Sequence, residues 1–167
     1  QKLPRKLLIA QSAVDEEVNL KFESRGCRKT KTTQVTCDVL VTDLANQRQG
    51  IRFSVSNSAI PNTNAIDSSG TVHPVQRTES GASFSDLVVS DGSACRCFTV
   101  SLASGIPTKV TFIFEIPQDV TELAALDIGY WWYKDSSSLG VSHRTAVSNI
   151  GTIASQSNPI RQRPKQN

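Results

Sequence analysis

Residues 104–117 read Ser-Gly-Ile-Pro-Thr-Lys-Val-Thr-Phe-Ile-Phe-Glu-Ile-Pro. Gly105 and Pro107 mark a turn, since one tolerates unusual backbone angles and the other fixes them. After the turn, Val110, Phe112, Phe114 and Ile116 recur at every second position, with Lys109, Thr111 and Glu115 between them. In a strand these four side chains share one face, whereas a helix would scatter them around its axis. The segment predicts a strand packed on a core and stopped by Pro117.

The same alternation recurs on both sides of it. Val18, Leu20 and Phe22 alternate with Asn19, Lys21 and Glu23; Val35, Cys37, Val39 and Val41 fall on one face of 34–42; Ile51, Phe53 and Val55 follow Gly50. Asp67-Ser68-Ser69-Gly70 is a hairpin turn between short strands at 65–66 and 71–77. Further strands are expected at 83–90, with Phe84 inward, at 95–102, at 126–132 and at 141–150. Thr121 to Ala125 offers one helical turn at most. Eight or nine short strands about ten residues apart predict an all-β, antiparallel immunoglobulin-like β-sandwich. Its core should hold Phe22, Val39, Phe53, Phe112, Phe114 and either Tyr130 or Trp132. Three parts are expected: an extended N-terminal arm over 1–16, the sandwich over 17–154, and a polar basic tail over 155–167.

Composition sets the compartment. The chain of 167 residues contains no methionine, which predicts a processed product, and Gln1 fits a mature terminus. No apolar run is long enough for a transmembrane segment. Four cysteines in a β-rich chain point to an oxidising, extracellular or cell-surface location. The net charge of +3 is unevenly spread: +4 over 1–33 (eight basic, four acidic), −4 over 34–157 (seven basic, eleven acidic) and +3 over 158–167. Basic ends on an acidic body lack the basic face and motif support that nucleic acid binding needs. Charge alone is read first as solvated tails, and second as an arrangement that lets like subunits attract head to tail.

The order of short motifs resembles a known family. Gly26-Cys27 is followed by Val35-x-Cys37-x-Val39-Leu40-Val41-Thr42, Asp67-x-x-Gly70, Ser104-Gly105-Ile106-Pro107-Thr108-Lys109, Leu123 with Leu126-x-Ile128, and Ser148-Asn149-Ile150. Over roughly residues 18–150 this is similar to small secreted domains of cyanobacterial type, relatives of the immunoglobulin-like fold of mycobacterial immunoprotective extracellular antigens. The resemblance implies secretion, an immunoglobulin-like sandwich and a disulfide joining Cys27 to Cys37. It implies no activity. The arm, the tail and the pair Cys95 and Cys97 fall outside it. A Cys27–Cys37 bond would close a short loop across a hairpin, which agrees with that pairing. For Cys95-Arg96-Cys97 four outcomes stand open: a kinked bond between them, free thiols, bonds to Cys27 and Cys37, or bonds to another chain.

Chemistry is sparsely signalled. Cys95, Cys97, His73 and His143 match no zinc spacing, and the two histidines read as ordinary surface residues. No serine sits in a Gly-x-Ser-x-Gly elbow. Asp15, Glu16 and Glu17 lie in the arm, away from any expected cleft. No catalytic residue, cofactor or metal is expected. Tyr130-Trp131-Trp132-Tyr133 holds every tryptophan and tyrosine of the chain. If Tyr130 and Trp132 face inward, Trp131 and Tyr133 face outward and need cover from a sugar, the arm or another subunit.

Two functions compete at this stage. In the first, the protein is a non-enzymatic extracellular structural subunit that assembles with copies of itself into a filament or surface layer. The apolar arm residues Leu7, Leu8 and Ile9 would add to a neighbour's sheet edge. In the second, it is a secreted module that binds a glycan or other ligand through Trp131 and Tyr133.

Overall fold

A computed structural model describes residues 11–55, 60–81, 83–84, 86–90, 93–133 and 140–155, with backbone alone for 83–84, 86–90 and 93–95. Leu7, Leu8, Ile9 and the tail beyond Ser155 lie outside the described residues. The described chain is all β, with twelve strands: β1 (Ser12–Asp15), β2 (Leu20–Lys31), β3 (Gln34–Asp43), β4 (Gln49–Ser54), β5 (Asn64–Asp67), β6 (Val72–Ser80), β7 (Ser83–Phe84), β8 (Asp86–Ser90), β9 (Ser93–Leu102), β10 (Thr108–Glu115), β11 (Glu122–Tyr133) and β12 (Val141–Thr152).

One layer runs β1-β2-β3-β10-β6, with β7 pairing the end of β6. The other runs β12-β11-β4-β9-β8, with β5 and β4 sharing the far flank of β11. All pairings between named strands are antiparallel. β6 joins the layers: Val72 to Pro74 pair with β5, while Val75 to Glu79 pair with β10. The product is an antiparallel β-sandwich with more strands than the eight or nine expected.

The alternating apolar faces meet between the layers. Phe22, Val39, Phe112, Phe114 and Tyr130 are fully buried, and Phe53 nearly so. Trp132 packs against this core from its rim. Phe53 meets Phe112 edge to face at 5.4 Å, and Phe22 lies 5.0 Å from Tyr130. Aromatic packing of this kind adds to what apolar burial alone contributes. Cys27 and Cys37 stand directly opposite one another in the β2–β3 ladder and are disulfide-bonded. Gly26, at φ +99°, carries the bulge that brings Cys27 into that register.

Three expectations need correction. Residues 121–125 form no helical turn, because Glu122 to Ala125 pair with β12 and β5, and the ladder overrides the helix propensity of Leu-Ala-Ala. The single strand expected over 83–90 divides into β7 in one layer and β8 in the other. Within the arm, Ser12 to Asp15 are already sandwich, paired to β2 through Ala13↔Phe22 and Asp15↔Leu20.

The flanks of the sandwich differ. Where β1 and β2 meet β12, the layers are stitched together. Ala154 accepts from Lys29 N at 2.9 Å and donates to Cys27 O at 2.9 Å, and Gln11 O accepts from Ser24 N at 2.7 Å. On the opposite flank β8 ends its layer and, among the described residues, pairs with β9 alone.

Candidate functional site

The stitched flank gathers the densest titratable cluster among the described residues. Tyr130 of β11 and His143 of β12 are register partners, and their rings stack at 6.0 Å. Thr145 follows His143 by two residues and so shares its face. Asp15, the last residue of β1, reaches across to Tyr130 and His143. Its Oδ2 accepts from the Tyr130 hydroxyl at 2.5 Å and from His143 Nδ1 at 2.9 Å. With that proton committed, Thr145 is the donor to the phenolic oxygen, at 2.8 Å. Glu17 Oε1 stands 3.8 Å from His143 Nδ1.

Burial, with the Asp15 carboxylate as hydrogen-bond partner, holds the Tyr130 hydroxyl well above the ordinary phenol range, so it stays protonated as a donor. The Asp15 and His143 side chains are 8% and 11% exposed, against 83% for Glu17. The pair therefore works largely removed from solvent, where a carboxylate left without donors would be costly. Beside it a cleft of about 450 Å³ opens between residues 13–17 and Arg144, Thr145 and Ala146.

This overturns two expectations. Asp15 to Glu17 line a cleft rather than standing clear of one, and His143 is half-buried and paired rather than an ordinary surface residue. His73 departs from the expectation in the same way. It is buried, with Nε2 2.8 Å from Asp67 Oδ2. Asp67 Oδ1 meanwhile accepts from Ser69 N, Ser69 Oγ and Thr71 N at 2.9, 2.7 and 3.0 Å. The Ser69 and His73 hydrogen bonds hold the Asp67 carboxyl far below its usual range. That set fixes the β5–β6 hairpin.

Chemically, the Asp15 cluster can hold β1 against β12. Asp15, Glu17 and His143 also present one ligand atom each within 4.8 Å of one another, a set a divalent cation could use. A third buried group lies at the end of β3. Asp43 Oδ1 accepts from Ala45 N at 2.9 Å and Gln49 Nε2 at 2.5 Å, while Gln49 Oε1 accepts from the Trp132 indole.

Of the residues singled out from the sequence, Cys27 is joined to Cys37, and His143 meets Asp15 and Glu17. Trp131 and Tyr133 are half-buried, and each is covered from within the chain. Gly140 lies against the indole so closely that a Cβ there would be 2.1 Å from Trp131 Nε1, and a Cβ on Gly50 would be 2.7 Å from the Tyr133 ring. Trp131 Nε1 is buried with no hydrogen-bond partner among the described residues. Cys97 is buried and disulfide-bonded, so free-thiol and Cys27 or Cys37 pairings do not apply to it. The side chain of Cys95 lies outside the described residues.

Comparison with protein-family models, curated proteins and solved structures finds no match to this chain.

Proposed function

We propose that this protein is a non-enzymatic extracellular structural subunit that assembles with copies of itself through its N-terminal arm. The observation that carries the reading is the fixed root of that arm. Gln11 to Asp15 are hydrogen-bonded along β2 and clamped by Tyr130 and His143, so residues 1–10 leave from a defined point on one flank. Those ten residues hold Leu7-Leu8-Ile9-Ala10 and three basic residues without an acidic one. An anchored apolar segment of this kind suits strand addition to a neighbour's sheet, in which backbone hydrogen bonds and apolar pockets act together. The Cys27–Cys37 disulfide, and the absence of any helix long and apolar enough to cross a membrane among the described residues, are compatible with an extracellular setting.

The glycan-binding reading depends on open faces at Trp131 and Tyr133. Gly140 and Gly50 lie against these rings, and both side chains are half-buried, which leaves less ring surface for a sugar to stack on. A synthetic peptide of residues 1–11 tests the proposal in solution. Added in excess, it competes for the acceptor edge and lowers the mass of the assembled particle. A scrambled peptide of equal charge leaves the mass unchanged. Equal effects of the two peptides would refute a sequence-specific arm.

A further inference from the structure

Strand addition needs an acceptor, and the edges of this sandwich are not equally suited to the role. Natural edge strands are blunted by lysine, proline, bulges, short length or a covering segment. β1 is four residues long and turns away at Glu16 to Asn19. β12 carries a bulge, with Leu123↔Gly151 followed by Ala125↔Ser148, and places Asn149 and Gly151 in the left-handed region. It also runs beside β1, held by the Asp15–His143 contact. β7 has two residues.

Among the described residues, β8 carries no bulge and no strand covers its outer edge. Asp86-Leu87-Val88-Val89-Ser90 pairs with β9 in unbroken register from Asp86↔Cys97 to Ser90↔Ser93. It contains no lysine, proline or glycine and is the last strand of its layer. Its core of Leu-Val-Val is suited to a ladder by β-branching and apolar character.

Charge selects the occupant. Residues 78–94 contain Glu79, Asp86 and Asp91 and no Lys or Arg, a net charge of −3. Residues 1–10 contain Lys2, Arg5 and Lys6 and no acid, a net charge of +3. In the sequence, Asp86 opens β8 and Asp91 follows its last residue, so the strand is flanked by acidic residues as the arm is by basic ones.

We infer that the β8 edge is the acceptor for Leu7 to Ala10 of a second copy. The inference rests on the assembly reading above and specifies its other half. The donor leaves the flank formed by β1 and β12, whereas β8 lies on the opposite flank. Donor and acceptor are therefore different surfaces, and such a head-to-tail contact propagates into an open polymer unless the rotation closes a ring.

The test uses the full chain with a photo-crosslinking residue in place of Leu8, followed by digestion and mass spectrometry of the interchain product. A link to the peptide carrying 86–90 is expected. Links to β1 or β12 instead would overturn the β8 assignment while leaving the arm as donor. A particle heavier than a monomer with no interchain link would overturn both. Val88→Pro and Val89→Pro give a second reading, because alternate residues of an edge strand aim their N–H groups outward. The variant that keeps the fold by circular dichroism has lost an outward donor. It should assemble roughly tenfold more weakly. Unchanged assembly in that variant would count against β8.

Discussion

Replacing Tyr130 by Phe removes one oxygen and leaves the ring that packs on Phe22. The hydroxyl is buried, donates to Asp15 Oδ2 at 2.5 Å and receives from Thr145 at 2.8 Å. A hydrogen bond to a charged acceptor contributes about 1.5–3 kcal/mol, and a neutral one about 1. Because Asp15 keeps His143 as a donor, the loss should fall near 2 kcal/mol rather than at the sum. For a domain of this size that corresponds to a fall in Tm of roughly 4–8 °C. The loss should also be local. Urea unfolding gives the total, and native-state hydrogen exchange gives the distribution. Amides of Ser12 to Asp15 should exchange faster in Tyr130→Phe, while those of β3 and β10 change only with global stability. A change in stability below about 0.5 kcal/mol, with unaltered exchange in β1, would refute the claim that this cluster anchors the arm.

Three other outcomes follow from the structure. Gly129→Ala would set a Cβ 2.4 Å from Pro61 O and 2.8 Å from Asn62 O, backbone atoms that cannot step aside, so a loss of about 3 kcal/mol is expected in urea unfolding. Asp67 has a folded pKa below its unfolded one. Its contribution is therefore complete above the unfolded carboxylate range of about pH 4 and is lost as pH falls toward the folded value. Acid unfolding curves of Asp67→Asn should accordingly be shallower below about pH 4 than those of the parent. Replacing both Cys27 and Cys37 by serine should lower stability by about 3 kcal/mol, read as a shift of the urea midpoint against the parent under oxidising conditions.

How much of this was legible follows from the range over which each signal acts. The run Val110 to Ile116 declares its strand and its inward face because alternation is a local property of the backbone. The predicted core residues are buried for the same reason. The β1 strand was missed because Ser-Ala-Val-Asp offers no alternating apolar pair. The switch between layers at 83–90 was missed because no Gly or Pro interrupts the run from Ser83 to Ser90. Asp67-Ser-Ser-Gly-Thr-Val-His73 could have been read: an aspartate opening a two-strand turn caps it with its own carboxylate, and a histidine shortly beyond returns alongside. Asp15 and His143, separated by 128 residues, gave no such signal. Only the closure of β12 against β1 brings them together. The cover over Trp131 and Tyr133 comes from glycines, which carry no side chain to announce a contact.

The most direct measurement is the native mass of two proteins under oxidising conditions, the full chain and the chain lacking residues 1–10. That deletion spares Gln11 and β1, so the sandwich and its Asp15 clamp are retained. Sedimentation over a range of concentrations should show the full chain growing into particles of many subunits and the shortened chain remaining a folded monomer. A full chain that stays monomeric throughout, or a shortened chain that assembles as the full one does, would contradict assembly through the arm.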